Sequence, residues 1–320
     1  QAQEHPQACD LSVRLGPLGL PNPITLASGT CGYGTELSEY LDLGSLGGVF
    51  TKGLTWTPRE GNGPVRIAET PEGMINRIGL QNVGVEAFIA DKLPALASYG
   101  VPVIANIAGA TQEEYLMLAE RLDAVPGLAG LELNLSCPNV QHGGIEFGTE
   151  PRILERLVST VRARTRLPLI VKLTPNVACI GELARAGEAG GADVLSAINT
   201  VTGLSVVPHF RQGRLEAETV RGGLSGPAIK PVALRCVAEV RQATRLPVIA
   251  VGGVSSLGDV LEFLAVGASA VQIGTATFVE PGIAGRLVRE LAEWMTGHHL
   301  LRLRDVLPSG EGARLSVVTR

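Results

Sequence analysis

Aromatic side chains are scarce in this sequence, at 4% of 320 residues. Proteins that grip single-stranded nucleic acid stack bases on such rings. There is no surplus of positive charge either, because 27 lysines and arginines stand against 31 aspartates and glutamates, a formal net charge of −4. Together these absences exclude nucleic acid as the principal partner. The five cysteines, Cys9, Cys31, Cys137, Cys179 and Cys236, are widely spread and include no C-x-x-C pair. An odd, dispersed set suits neither a disulfide framework nor a zinc or iron–sulfur site, so reduced thiols in a cytoplasmic protein are expected, and no metal. The first ten residues lack the basic-then-apolar order of a signal peptide. The longest uncharged run, residues 15–35, is broken by Pro17, Pro21 and Pro23, and the next, 263–279, is shorter than the ~20 apolar residues a spanning helix needs, so no membrane segment is expected. A G-x-G-x-x-G fingerprint is also missing, which counts against a dinucleotide-binding fold.

What the chain does have is apolar bulk, 45% of its residues, enough for a large core. Residues 1–10 are polar and read as a flexible segment, and 11–20 alternate around Gly16, Pro17 and Gly19 as a short hairpin. Short apolar runs then recur over 24–30, 48–54, 101–108, 130–135, 169–174, 194–200, 248–254 and 270–278. Segments of helical periodicity lie between most of them, over 85–99, 112–125, 152–165, 181–189, 229–244, 257–266 and 282–296. Eight strands without polar alternation, separated by helices, predict a parallel sheet closed into a (β/α)₈ TIM barrel over residues 11–296, with a doubly wound open sheet as the alternative. Two connections, 55–80 and 201–226, are far longer than ordinary βα loops and are expected over the C-terminal face, where barrel enzymes keep their sites. Residues 297–320, with His298 and His299, read as a peripheral solvated tail.

In such a barrel the strand ends converge on one cavity. Ala27-Ser28-Gly29 ends the first strand, Thr51-Lys52-Gly53 the second, and Asn106 falls near the end of the third. Asn134 closes the fourth, Lys172 lies in the fifth, Asn199-Thr200 end the sixth, Gly252-Gly253 follow the seventh, and Gly274-Thr275 fall in the eighth. Lysines and asparagines inside apolar strands are costly to bury unless they bind something. The paired glycines sit where barrels build phosphate sites from backbone N–H groups. After the fourth strand, Asn134-Leu135-Ser136-Cys137-Pro138-Asn139 sets a cysteine between carboxamides. A thiolate there is a base or nucleophile, while burial as a packing residue is an equal alternative on that stretch alone. Proton abstraction beside flavin mononucleotide (FMN) fits this set better than nicotinamide chemistry. A non-redox barrel using Lys52 or Lys172 as a base or Schiff-base lysine stays open on residue types, as does another flavin-dependent pyrimidine reductase.

Several longer motifs carry a resemblance. Pro23 to Thr30, Asn76-Arg77-Ile78-Gly79-Leu80-Gln81-Asn82, Asn134 to Val140 continuing through His142-Gly143-Gly144, Val171-Lys172-Leu173-Thr174-Pro175-Asn176 and Gly222 to Pro231 resemble the class 1B dihydroorotate dehydrogenases, catalytic subunits of pyrimidine biosynthesis. The resemblance implies Cys137 as the catalytic base, and Lys52, Asn76, Arg77, Ile78, Gly79, Leu80, Asn134, Asn139, Asn199 and Thr200 as substrate contacts. It implies FMN contacts at Ser28, Lys52, Gly53, Asn106, Asn134, Lys172, Ile198, Gly226, Gly252, Gly253, Gly274 and Thr275. Cys31, Cys179 and Cys236 match no catalytic position and are expected to be packing residues. Arg77 stands where a small residue is expected, and the segment 206–219 is unusual. The resemblance also implies a homodimer, and a partner subunit bearing FAD and a [2Fe–2S] cluster that passes electrons to NAD⁺, giving a heterotetramer.

Overall fold

Apolar runs that need cover on both faces become the staves of a barrel. The computed structural model describes residues 9–135 and 147–308. Its strands are β1 (Val13–Leu15), β2 (Leu18–Leu20), β3 (Ile24–Leu26), β4 (Gly48–Phe50), β5 (Ile67–Thr70), β6 (Gly73–Asn76) and β7 (Val103–Ile107). They continue as β8 (Gly130–Asn134), β9 (Leu169–Leu173), β10 (Val194–Ala197), β11 (Val201–Arg211), β12 (Arg214–Ser225), β13 (Val248–Val251) and β14 (Ala270–Ile273). Eight of them close in the order β3-β4-β7-β8-β9-β10-β13-β14, every pairing parallel. The TIM barrel expected from the sequence is therefore the fold, and each of the eight apolar runs supplies a stave. The staves are shorter than the runs. β14, for instance, ends at Ile273, and Thr275–Phe278 is a 3₁₀ turn, so Gly274 and Thr275 follow the eighth strand instead of lying in it.

Helices cover the outside. They are α1 (Val85–Ala87), joined through a π-helical turn at Phe88–Lys92 to α2 (Leu93–Ala97), then α3 (Gln112–Asp123), α4 (Pro151–Arg162), α5 (Ile180–Ala189), α6 (Lys230–Ala243), α7 (Leu257–Ala265) and α8 (Ile283–Gly297). Local chemistry marks several starts. Thr111 caps α3 by accepting from Glu114 N at 3.2 Å, Pro151 opens α4, and Ser256 with Asp259 forms a capping box on α7. The first β-to-β connection carries only two 3₁₀ turns, Thr35–Leu37 and Leu43–Ser45.

The two long connections are not loops. β5, β6, β11 and β12 pair into an antiparallel sheet of order β11-β12-β6-β5, joined where Gly223 lies opposite Asn76. The ribbon β11–β12 turns at Gln212-Gly213, with φ of +49° and +76°, the two left-handed residues of a type I′ turn. Its outer half is exposed and apolar along one face, with Phe210 and Leu215 each 76% exposed and opposite one another. The β1–β2 hairpin packs its Leu15, Leu18 and Leu20 into the core. Beyond α8 the chain returns to it, since Leu303 is buried and its N–H donates to Asp10 O at 2.8 Å. His298 and His299 are exposed. Cys31 and Cys236 are buried as expected, but Cys179 is exposed just before α5, where a helix start faces solvent, and is not a packing residue. No helix among the described residues is long and apolar enough to cross a membrane.

Core helix α8 seals the barrel through Leu287, Leu291 and Met295, all fully buried. Leu287→Ala should cost about 2–5 kcal/mol, read as a lower midpoint of denaturant-induced unfolding. Val279→Ala, at a residue 88% exposed, should stay within about 0.5 kcal/mol, and equal effects of the two would contradict the packing.

Candidate active site

At the C-terminal end of the barrel the strands open into a cavity of about 990 Å³. Its floor and walls are the residues at which staves stop. Ser28 follows β3, Lys52 and Gly53 follow β4, Asn134 ends β8, and Lys172 projects from β9. Ile198, Asn199 and Thr200 follow β10, Gly252 and Gly253 follow β13, and Gly274 and Thr275 follow β14. The antiparallel sheet forms the roof, contributing Asn76 from β6 and Gly226 just past β12, with Arg77, Ile78, Gly79 and Leu80 in the segment after β6. Sequence separation is thus converted into one cluster. Asn106 behaves differently. It is fully buried in β7 and does not line the cavity. Its Oδ1 has no partner and lies behind Gly53, where an added Cβ would be 3.1 Å from it. Cys137 and Asn139 lie outside the described residues.

Hydrogen bonds fix the polar groups in a definite order. Asn199 Nδ2 donates to Asn134 Oδ1 at 3.1 Å, Thr200 N–H donates to Asn199 Oδ1 at 2.9 Å, and Tyr115 Oη donates to Asn134 O at 2.7 Å. Asn76 Nδ2 donates to Gly223 O at 3.2 Å, which ties the end of β6 and the segment after it to β12. Asn82 braces the other end of that segment, its Nδ2 donating to Leu80 O at 2.7 Å and Thr55 Oγ1 at 2.8 Å. Leu80 is held at φ +57°, a left-handed conformation unusual for its type. Asn62 Nδ2 donates to Arg77 O at 2.9 Å, so the backbone of the segment is clamped while the Arg77 side chain is exposed at the cavity wall.

Charge in the cavity is one-sided. Among the described residues Lys52, Arg77, Lys172 and Arg221 line it and no carboxylate does. Lys172 is 5% exposed, and an ammonium that is buried without an anion awaits one. Removal from water lowers the Lys52 pKa below the ordinary lysine value, with Arg66 adding to the fall and Glu36 opposing it. Burial pushes the Cys31 thiol up to about 12, so it is inert as a nucleophile. The glycine pair after β13 makes a cradle. Gly253 has φ +76°, and a Cβ there would meet Lys230 Cβ at 2.8 Å and Gly226 O at 2.9 Å, so only glycine fits this turn at the cavity wall. No group of three metal-ligating side chains occurs among the described residues.

Some cavity residues fall in motifs noted in the sequence, or between them, but were assigned no role there. Asn176, between β9 and α5, donates from Nδ2 to Thr200 O at 3.0 Å and accepts from Thr202 N–H at 2.9 Å, joining the barrel to the roof. Its position two residues after Thr174, at another strand end, was the available signal. Arg221 and Ser225 line the cavity from β12, and Ser225 Oγ accepts from Thr275 Oγ1 at 2.7 Å. Only the pairing of β12 with β6, which no local pattern announces, brings them there.

Comparison with known proteins agrees with this geometry. The profile of the family "Dihydroorotate dehydrogenase" matches residues 10–295. The protein named "Dihydroorotate dehydrogenase B (NAD(+)), catalytic subunit" from Pelobacter propionicus is 50% identical over 298 residues, 93% of this chain and 97% of the relative. Its namesake from Trichlorobacter lovleyi is 50% identical over 302 residues, 94% and 99% of the two chains. That from Geobacter sulfurreducens is 48% identical over 301 residues, 94% and 98%. A profile that spans residues 10–295, and relatives half identical over more than nine-tenths of both chains, leave one assignment, and the chain belongs to the dihydroorotate dehydrogenase family.

Proposed function

We propose that this chain is the FMN-dependent catalytic subunit of an NAD⁺-linked dihydroorotate dehydrogenase, oxidising dihydroorotate to orotate for pyrimidine synthesis in the cytoplasm. The observation that carries the reading is a single cavity in which Lys52 and Lys172 have no facing carboxylate among the described residues, beside the Asn76, Asn134 and Asn199 amides and above a glycine cradle. That set suits a planar, amide-bearing carboxylate on one side and a phosphorylated cofactor on the other.

The residues fit FMN. Gly252-Gly253, with Gly274-Thr275 and Gly226, would receive the phosphate; Lys172, Ser28, Gly53 and Ile198 would flank the ring, and about 990 Å³ accommodates cofactor and substrate together. When bound, FMN supplies a two-electron acceptor for hydride. The chain's own residues do the rest. Lys52 offers its cation to the substrate carboxylate, with the backbone of Arg77 to Leu80 clamped around it. Asn134 and Asn199, locked to each other, and Asn76 and Asn139 orient the ring by its amide edges. Cys137 takes the C5 proton, acidified by the adjacent carbonyl; the C5=C6 bond forms as the C6 hydrogen leaves with its electron pair.

Electrons leave through a second subunit carrying FAD and a [2Fe–2S] cluster. The relatives' names, which join NAD(+) to "catalytic subunit", support such a partner, and a homodimer of this chain completes a heterotetramer.

An anaerobic absorbance titration tests the reading. Dihydroorotate should bleach a yellow spectrum; NAD⁺ and fumarate should each fail to restore it without the partner subunit. A colourless protein, or one that does not bleach, contradicts the function, and restoration by fumarate alone contradicts the NAD⁺ link. Cys137→Ala should keep its flavin and lose about 10²–10⁴-fold in turnover, and Cys137→Ser should also be slow; undiminished turnover of the alanine variant would remove Cys137 from the role.

The lowered Lys52 pKa sets a pH dependence. Because the pKa is depressed, the ammonium is lost at a lower pH than in an ordinary lysine, so the KM for dihydroorotate should rise on the alkaline side as pH climbs through it. Lys52→Arg, charged across the accessible range, should move that rise to higher pH. An unmoved profile would assign the alkaline limb to another group.

A further inference from the structure

We infer that Glu132 is a positioning residue for the cofactor: from the barrel axis it sets which end of the Asn106 amide faces the site. Glu132 lies on β8 and is completely buried. It accepts three hydrogen bonds from three different strands. Asn106 Nδ2 on β7 donates to Oε2 at 2.7 Å, Ser196 Oγ on β10 donates to Oε1 at 2.7 Å, and Gln272 Nε2 on β14 donates to Oε1 at 3.1 Å. A carboxylate offers these neighbours only acceptors, so each carboxamide turns its NH₂ end inward. Their carbonyl ends are left over. Asn106 Oδ1 and Gln272 Oε1 are buried, and neither has a partner.

For Asn106 that leftover oxygen points at a function. It lies behind Gly53, a residue of the cavity lining, 3.1 Å from where a Cβ on that glycine would sit, and Leu80 Cδ2, from another lining residue, is 3.4 Å from the same point. The oxygen is an acceptor in want of a donor. An oxidised isoalloxazine carries several acceptors on its polar edge and a single N–H, at N3. Glu132 therefore makes Asn106 a reader of that one group, fixing the orientation of the ring. This rests on the FMN reading above.

Exchanging the polarity at position 132 tests it. In Glu132→Gln, the new Oε1 keeps Ser196 and Gln272, and the new NH₂ faces Asn106, whose amide must turn its oxygen inward and present NH₂ to the site. Dissociation of FMN and of 3-methyl-FMN is followed by flavin fluorescence on diluting the loaded protein, with thermal unfolding as the control for folding. Wild type should hold FMN about tenfold or more tightly than 3-methyl-FMN, the worth of one hydrogen bond to a buried acceptor. Glu132→Gln should bind FMN at least about tenfold more weakly and lose the discrimination. The double variant Glu132→Gln/Asn106→Asp, which accepts from Gln at 132 and again presents an oxygen, should regain it. A folded Glu132→Gln with wild-type affinity and discrimination overturns the inference. Should that variant fail to fold, Asn106→Ala decides: retained discrimination overturns the inference and lost discrimination upholds it. A wild-type protein that binds neither flavin fails the FMN reading itself, a separate result.

Discussion

A carboxylate on the barrel axis is the constraint from which much of the interior follows. Glu132 bonds to β7 beside it, to β10 two staves away and to β14 on the opposite wall. Burying such a group is expensive, and removing any one donor leaves the rest in deficit. The interior of a barrel is ordinarily filled by branched apolar side chains. Here the layer beneath the site is polar and crosses the barrel, so the rotamers of Asn106, Ser196 and Gln272 are decided together. Two residues further along β8, Asn134 stands opposite Lys172 of β9, and both reach the cavity. On β8 the polar axis below and the polar floor above are thus successive positions on one face of the strand.

Above that floor, the electrostatics oppose those of the molecule as a whole. A chain with a formal net charge of −4 gathers four cationic side chains around the cavity and, among the described residues, faces them with no carboxylate. Low-dielectric walls focus such a field outward. The desolvation that lowers the Lys52 pKa strengthens the attraction of the remaining cation for an anion that enters. Glu36 moderates this from behind: its carboxylate accepts from Tyr33 N–H at 3.0 Å and so is held near Lys52 without entering the cavity.

The barrel was legible because its staves are buried on both faces, which writes eight predominantly apolar runs into the chain. The residues at stave ends were legible for the same reason, since Lys172 and Asn134 interrupt runs that have no other cause to be polar. The roof was not. Its decisive contact joins Asn76 to Gly223, 147 residues apart, and a ribbon whose Leu204, Val206, Phe210 and Leu215 are all exposed lacks the inward alternation that identifies a strand. Asn176, though named in a motif, was given no role and Arg221 was missed with the roof, because each acts only once the roof is in place. Asn106 was found by position, but whether it lined the cavity or stood behind it depended on Gly53 and Leu80, neighbours that strand order does not supply.

The two halves of the site therefore differ in kind. The floor, proposed to hold the cofactor, is built from staves and the glycine turns directly after them, held by the parallel ladder and the axial network. The other half, proposed to meet the substrate, hangs from the roof, where Asn76 is tied to β12, and Asn62 and Asn82 clamp the backbone between Arg77 and Leu80. Side-chain amides make these ties one bond at a time, and the left-handed Leu80 is kept in place by its neighbours instead of by its own preference. Asn176 and the Ser225–Thr275 hydroxyl pair are the joints between the halves. A ligand that engages the roof would thereby be held against a floor braced by the barrel itself, which is the arrangement that the proposed proton and hydride transfer requires.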